Sequence, residues 1–200
     1  VLDKKIMEVG NFIYVYDKVF ENETLNSFLK WIDHNNKNFV DAKVTNGIDA
    51  QVLDTSIRKV SEFNLNLNSE SQTKIHWFNY LTRKLSDLII NYERDVLKGV
   101  SLNISKFNEI NILRYENQGH YKPHVDDCIN HHRTLSIILL LNDDYEGGEL
   151  IFKSVDLQKD LHIIDVKKNR AILFPSNFMY PHTVKPVTKG MRYSIVSWAL

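Results

Sequence analysis

Three residues in the C-terminal half of the chain have the types and the spacing of a metal site. His124 and Asp126 stand two residues apart, which on a β-strand places both side chains on one face, about 7 Å apart along the chain. His182 belongs to a later predicted strand and can supply a third ligand. Two imidazoles and one carboxylate form a facial triad, which leaves coordination positions open and is typical of non-haem Fe(II). The alternative is a turn aspartate beside a surface histidine.

A fourth candidate, Arg192, begins the apolar last segment of the chain. It precedes a run of Tyr, Ser, Ile, Val, Ser and Trp that ends at Trp198. A guanidinium that points inward from such a strand requires an anionic partner, and a carboxylate held by two hydrogen bonds is the natural one. The alternative is an arginine at the rim that pairs with an acidic side chain.

The elements that would position these residues follow a period of two from Ser101 onward. Short strands with turns between them predict an antiparallel sandwich or barrel, and their number is typical of a jelly roll. The predicted strands are 107–115, 121–125, 134–141, 148–153, 161–165, 171–174, 180–186 and 192–200.

The sequence of one of these strands, 134–141, predicts which face of the sheet packs against helices and which face lines a cavity. Its odd-numbered positions are all apolar, which favours packing against helices, whereas its even-numbered positions are polar at one end. Since strand residues alternate between faces, the second set is expected to line a cavity that becomes wet towards its mouth. That set is Thr134, Ser136, Ile138 and Leu140.

The first hundred residues are predicted to be mainly helical. A short strand at 12–16 precedes a helix that Asn22 can cap, and a polar segment at 39–68 predicts a long loop with short elements. The sequence 69–72 has the form of a capping box, and the helix after it ends at Gly99. The helical stripes are Leu25, Phe28, Leu29 and Ile32, then Ile75, Phe78, Leu81, Leu85, Leu88, Ile89, Tyr92 and Val96.

The amino-acid composition excludes several classes of protein. The 200 residues contain 43% hydrophobic and 25% charged residues, which is typical of a globular domain and excludes a disordered or fibrous chain. Lys and Arg number 25 and Asp and Glu number 25, so no bulk charge attracts nucleic acid or anionic lipid. A single cysteine, Cys128, excludes an internal disulfide framework. Without a signal peptide or a membrane-length apolar run, the chain is expected to be cytoplasmic.

Several blocks of the C-terminal half resemble one family. They have the order, spacing and content of the Fe(II)- and 2-oxoglutarate-dependent dioxygenases, in the prolyl 4-hydroxylase branch. The matching blocks are 114–126, 139–143, 147–150, 171–175 and 182–198. The resemblance implies a single oxygenase domain at 1–200, in which a double-stranded β-helix, or jelly roll, at 101–200 is packed by helices from 1–100.

The resemblance also implies roles for individual residues. His124, Asp126 and His182 would hold iron, and Arg192 and Tyr115 would bind the distal carboxylate of 2-oxoglutarate. The cofactors and co-substrates implied are Fe(II), 2-oxoglutarate and O₂, with ascorbate as the accompanying reductant. The positions that match the family's substrate-binding residues are Tyr121, Arg133 and Trp198.

Two positions depart from the family's patterns. Collagen-type relatives commonly carry lysine where this chain has Arg192. Oxygen-sensing relatives carry arginine there, together with a tyrosine where this chain has Leu140. Because the chain mixes these patterns, the resemblance does not transfer a physiological substrate.

The function that these features favour is hydroxylation of prolyl residues in a peptide or protein, with succinate and CO₂ as co-products. One alternative is an oxygenase that acts on a free amino acid or another small molecule. A nucleic-acid substrate is disfavoured by the zero net charge. It is also disfavoured by Trp198, because nucleic-acid demethylases usually carry a second arginine at that position. Another is a barrel that binds metal without catalysis. Neither a membrane partner nor a particular oligomeric state is indicated. Cys128 is expected to be a free thiol, and His131 and His132 solvated loop residues.

Overall fold

The computed structural model describes residues 6–45, 51–127 and 132–200. Cys128 and His131, for which a free thiol and a solvated side chain are predicted, lie outside the described residues. The helices are α1 (Asn22–His34), a short 3₁₀ turn (Asn36–Asn38) and α2 (Gln72–Asp95). Within the described ranges, no helix combines the length and the apolar character needed to cross a lipid bilayer.

Both long helices form close to where the sequence predicts them, with small shifts at their starts. Glu21 rather than Asn22 occupies the N-cap of α1. The N-cap of α2 is Ser71, whose hydroxyl oxygen accepts a hydrogen bond from the Lys74 amide, whereas Ser69 supports the preceding turn by accepting from the Ser71 amide. α2 ends at Asp95, four residues before the predicted stop at Gly99. Gly99 has a positive φ of 90° and donates its amide to the carbonyl of Glu93 in the last turn of α2.

The described residues form strands in both halves of the chain. They are β1 (Ile6–Gly10), β2 (Ile13–Asp17), β3 (Val40–Asp41), β4 (Val44–Thr45), β5 (Gln51–Val52), β6 (Arg58–Lys59), β7 (Ser61–Leu65), β8 (Phe107–Glu116), β9 (His120–His124), β10 (Leu135–Leu140), β11 (Glu146–Gly147), β12 (Leu150–Lys153), β13 (Asp160–Ile164), β14 (Arg170–Pro175), β15 (His182–Val184), β16 (Val187–Lys189) and β17 (Met191–Ala199).

Two antiparallel sheets confirm the predicted jelly roll. The larger has eight strands in the order β1-β2-β14-β10-β17-β8-β7-β3, and the smaller has five in the order β13-β12-β15-β9-β6. All eight strands predicted after Ser101 are present. The first hundred residues do more than supply helices, because β1, β2, β3 and β7 extend the larger sheet and β6 joins the smaller one. The polar segment 39–68 contains β3 to β7, as the predicted short elements.

The larger sheet separates two apolar cores, and β10 shows how. Leu135, Ile137 and Leu139 pack with the buried faces of both helices. Ile138 and Leu140 instead face the space between the sheets, in a second core that also contains Tyr115 and Trp198. The predicted assignment of the two faces is therefore confirmed, and the inner face of the larger sheet carries the candidate site.

Candidate active site and metal centre

The three predicted ligands meet between the sheets. β9 ends at His124 and β15 begins at His182, and antiparallel pairing places these two residues directly opposite each other. Asp126 lies two residues past the end of β9, so its carboxylate reaches the histidines from a bend rather than from the strand. Its Oδ1 is 3.5 Å from Nε2 of His124 and 3.7 Å from Nε2 of His182. One candidate ligand atom from each residue lies within 4.8 Å of the other two, so the three can hold one ion.

Backbone carbonyls orient both imidazoles. Nδ1 of His124 lies 2.8 Å from the carbonyl oxygen of Lys122, and Nδ1 of His182 lies 3.1 Å from that of Tyr180. An Nδ1–H that donates to a carbonyl leaves the lone pair on Nε2, the nitrogen that faces Asp126. The two histidines therefore present the tautomer and the ring orientation that a metal ligand requires.

A pair of serines orients the carboxylate. The Ser136 hydroxyl donates to Oδ2 of Asp126 at 2.7 Å, and its oxygen lies 2.8 Å from the hydroxyl oxygen of Ser176. Since Ser136 gives its proton to the carboxylate, Ser176 donates to Ser136. This leaves Oδ1 of Asp126 directed at the imidazoles. The polar end of β10 pointed to Ser136 as a cavity residue, but nothing in the sequence connected it with Asp126.

The protonation states of Asp126 and His182 match those of metal ligands. Burial alone would raise the pKa of Asp126, but the adjacent imidazoles of His182 and His124 and the Ser136 hydroxyl outweigh it, so that pKa lies well below its usual range. Burial lowers the pKa of His182 to about 4, against the opposing charge of Asp126. At neutral pH the carboxylate is ionised and His182 is neutral, which are the forms that bind a metal ion.

Replacing Ser136 with alanine should weaken Fe(II) binding about tenfold, since loss of a hydrogen-bond partner of a ligand typically costs ten- to a hundredfold in metal affinity. Anaerobic titration with Fe(II) measures the change. Ser197→Ala is the matched control, because Ser197 is equally buried on the same sheet but donates to the carbonyl of Glu109. Equal losses in the two variants would contradict the assigned role of Ser136.

The predicted carboxylate anchor, Arg192, is a buried cation. Only 1% of Arg192 is exposed. Among the described residues its guanidinium forms no ion pair, and its side-chain hydrogen bond goes to a hydroxyl. Nη1 donates to the Ser194 hydroxyl at 2.8 Å, and the guanidinium carbon lies 4.9 Å from the centre of the Tyr115 ring. Burial raises the pKa of Tyr115, so its hydroxyl stays protonated and able to donate. A buried guanidinium with only these partners is suited to an anionic ligand.

The residues predicted on the substrate side lie around the same cluster. Tyr121 stacks on the His124 ring, with centroids 3.5 Å apart. Arg133 lies over Trp198, its guanidinium carbon 3.6 Å from the ring centre, and its Nη1 donates to the carbonyl of Asp126 at 2.8 Å. Sequence reasoning missed Arg58, which lies 5.0 Å over Tyr121 and lines the cavity. Because Arg58 belongs to the polar segment 39–68, no periodic signal identified it.

The cavity among these residues is narrow. It is bounded by the triad and by Tyr115, Tyr121 and Arg192, with about 30 Å³ free, which is about the space of one water molecule. A groove of about 870 Å³ lies elsewhere, between α2 and the start of β8. In the part of the chain that the structure describes, the three-ligand cluster belongs to the smaller cavity, so we assign the candidate site there.

The residues present fit both an iron ion and an anionic co-substrate. Two imidazoles and one carboxylate converge from one side, which leaves the opposite side open for further ligands, as in non-haem Fe(II) sites. The buried Arg192 provides positive charge in the same cavity for a carboxylate. The sequence predicted these four residues, and the fold brings all of them together.

The comparison with known proteins finds a family match in the part of the chain that contains the candidate site. A model of the 2OG-Fe(II) oxygenase superfamily matches residues 110–200. Prolyl 3-hydroxylase 2 of Homo sapiens is 44% identical over 66 residues, which cover 33% of this chain and 9% of that protein. A PKHD-type hydroxylase of Gloeothece citriformis is 30% identical over 166 residues, covering 80% of this chain and 66% of that protein. The chain thus spans less than two thirds of the length of these curated relatives.

Two solved structures share the fold. A prolyl hydroxylase from Trichoplax adhaerens, in complex with a fragment of the hypoxia inducible factor oxygen degradation domain, superposes with a TM-score of 0.77 at 19% identity, covering 95% of this chain and 84% of that one. A Pseudomonas putida prolyl-4-hydroxylase gives a TM-score of 0.69 at 17% identity, covering 94% and 92%. At these identities the likeness concerns the fold.

Proposed function

The chain carries a domain of the 2OG-Fe(II) oxygenase superfamily, and from this premise we propose that it hydroxylates prolyl residues of a peptide or protein. Fe(II), 2-oxoglutarate and O₂ are the cofactor and co-substrates of that family. The observation that carries the proposal is the convergence of the triad and the buried Arg192 on one cavity.

We assign the metal site to His124, Asp126 and His182. Their Nε2 atoms and Oδ1 face one point, and the carbonyl and serine partners hold them there before any ion binds. Fixing the ligands in advance reduces the reorganisation that metal binding requires. With Fe(II) and 2-oxoglutarate held at this site, O₂ would be the oxidant: one oxygen atom would enter the C–H bond of the substrate, and the other would enter succinate as 2-oxoglutarate loses CO₂.

We assign the distal carboxylate of 2-oxoglutarate to Arg192 and Tyr115. The guanidinium supplies charge and hydrogen-bond donors, and the protonated hydroxyl of Tyr115 supplies another donor beside it. Both residues are at most 2% exposed, so water competes little with the carboxylate. Burial strengthens such charged hydrogen bonds, because the surroundings have a low dielectric constant.

We assign the prolyl substrate to the side of the cavity formed by Tyr121, Arg133 and Trp198. The indole Nε1 of Trp198 and the Nε of Arg133 are buried and have no hydrogen-bond partner among the described residues. Unpaired buried donors favour a ligand that brings acceptors, and the carbonyl groups of a peptide are such acceptors. The names of the relatives support the proline specificity, since a prolyl 3-hydroxylase and two prolyl hydroxylases are among them.

Incubation of the protein with Fe(II), 2-oxoglutarate, ascorbate and a library of proline-containing peptides tests the proposal. We expect succinate to form and peptides to gain the mass of one oxygen atom at proline. Amino-acid analysis then separates 3-hydroxyproline from 4-hydroxyproline, which the relatives leave open. Hydroxylation of free proline alone would replace the peptide with a small-molecule substrate. Absence of succinate with every substrate, despite bound Fe(II), would contradict the enzymatic assignment.

A further inference from the structure

Two neighbouring polar atoms beside the carboxylate anchor are buried without a partner. Nε of Arg192 and the hydroxyl oxygen of Tyr145 are both inaccessible to solvent, and neither makes a hydrogen bond among the described residues. Buried polar groups in folded proteins are nearly always paired, because an unpaired one loses its hydration without compensation. One atom is a donor and the other can accept, so each can satisfy the other.

The turn before β12 brings Tyr145 against Arg192. Gly148 has a φ of +68°, and a Cβ placed there would lie 3.0 Å from Cδ of Arg192 and 3.2 Å from Cε2 of Tyr145. Both side chains therefore pack against the same glycine. Burial raises the pKa of Tyr145, and the adjacent Arg192 opposes this rise both as a charge and as a hydrogen-bond donor. The two groups are thus close to each other.

Few other groups fix the orientation of the Arg192 guanidinium. Ser194 accepts from Nη1, and the Tyr115 ring supports one face. On the neighbouring strand β10, the residue opposite Ser194 is Leu140, which offers no polar atom. A guanidinium fixed at only one nitrogen can rotate about its last side-chain bonds, which costs entropy when a carboxylate must be held by two parallel hydrogen bonds.

We propose that Tyr145 is a positioning residue for Arg192: its hydroxyl oxygen accepts a hydrogen bond from Nε–H and aligns the guanidinium with the distal carboxylate of 2-oxoglutarate. This rests on the proposed function, in which Arg192 binds that carboxylate. Ser194 and Tyr145 then hold the guanidinium at two nitrogens, and the remaining N–H groups face the cavity. Tyr145 does not touch the reacting atoms, so it acts on affinity for the co-substrate and not on the metal.

Tyr145→Phe tests the inference by removing only the hydroxyl. With Fe(II) under anaerobic conditions, we expect the Kd for 2-oxoglutarate to rise about tenfold, as for loss of one hydrogen bond to a charged group. The Kd for 2-oxobutanoate, which keeps the keto acid but lacks the distal carboxylate, should not change. When Arg192 is already replaced by alanine, adding Tyr145→Phe should not change the Kd for 2-oxoglutarate any further.

Tyr16→Phe is the matched control, since the Tyr16 hydroxyl is also buried without a partner among the described residues but lies in the helix-side core. It should leave both Kd values unchanged. If Tyr145→Phe weakened the binding of 2-oxoglutarate and of 2-oxobutanoate equally, or weakened neither, this inference would be overturned and the proposed function would stand. Failure of the unaltered protein to bind 2-oxoglutarate at all would overturn the proposed function and this inference with it.

Discussion

Replacing Asp126 with alanine should weaken Fe(II) binding severely and remove all hydroxylation. The substitution removes the one carboxylate of the triad, whose Oδ1 faces the Nε2 atoms of His124 and His182. Two imidazoles remain, and they bind Fe(II) weakly without the carboxylate's charge. Anaerobic titration should show at least a hundredfold weaker binding, about the effect of losing 3 kcal/mol of binding free energy. Succinate formation should fall to background.

The matched control is Asp127→Ala. Asp127 is the adjacent carboxylate, and it accepts a hydrogen bond from the Arg133 amide instead of facing the histidines. It should retain Fe(II) binding within a few-fold. Melting temperatures of both variants exclude unfolding as the cause of a loss. Retention of Fe(II) binding by Asp126→Ala would show that the metal site lies elsewhere.

Replacing Arg192 with alanine should weaken 2-oxoglutarate binding by at least about thirtyfold and leave Fe(II) binding intact. Removing one partner of a buried, hydrogen-bonded charge pair typically costs about 2–5 kcal/mol. Arg192 is 1% exposed, so water cannot replace the guanidinium at the carboxylate. Parallel titrations with Fe(II) and with 2-oxoglutarate separate the two effects.

Arg114→Ala is the comparison for this variant. Arg114 lies on β8 beside the partner of Arg192, but it pairs with Glu116 and lies over Phe39, outside the cavity. It should leave 2-oxoglutarate binding unchanged. If Arg192→Ala binds 2-oxoglutarate as tightly as the unaltered protein, another cation holds the carboxylate, and Arg58 is the next guanidinium in the cavity.

Local sequence patterns were sufficient for much of the fold. Of the ten strands that the structure describes after Ser101, eight were predicted and the short pair β11 and β16 was not. The eight were recognisable because both faces of the larger sheet pack against apolar cores, which gives its strands long apolar runs. Helix starts were displaced by one or two residues, since several polar residues at 21–22 and 69–71 compete for the cap. The strands β6 and β7 were harder to predict, because 39–68 is polar and these strands depend on pairing with β9 and β8.

Some residues of the candidate site could likewise be predicted from the sequence and others could not. His124, Asp126 and Arg192 were predicted because their residue types are costly to bury without a ligand, and because they lie on predicted strands or, for Asp126, directly after one. Arg58, Ser136 and Tyr145 were not assigned roles, because each meets its partners on another element of the fold. Serine, tyrosine and arginine at such positions are common in any sheet, so only proximity gives them a role.

The sequence by itself therefore determined the two-sided strands, the ligand types and the resemblance to 2-oxoglutarate oxygenases, since these follow from periodicity and from motif spacing. Only the tertiary structure decided that His182 pairs opposite His124, that Ser136 and Ser176 orient Asp126, and that Tyr145 packs beside Arg192. The physical reason is strand register. Because one residue of slip turns every side chain to the opposite face, the site exists only after long-range pairing has fixed all of its strands together.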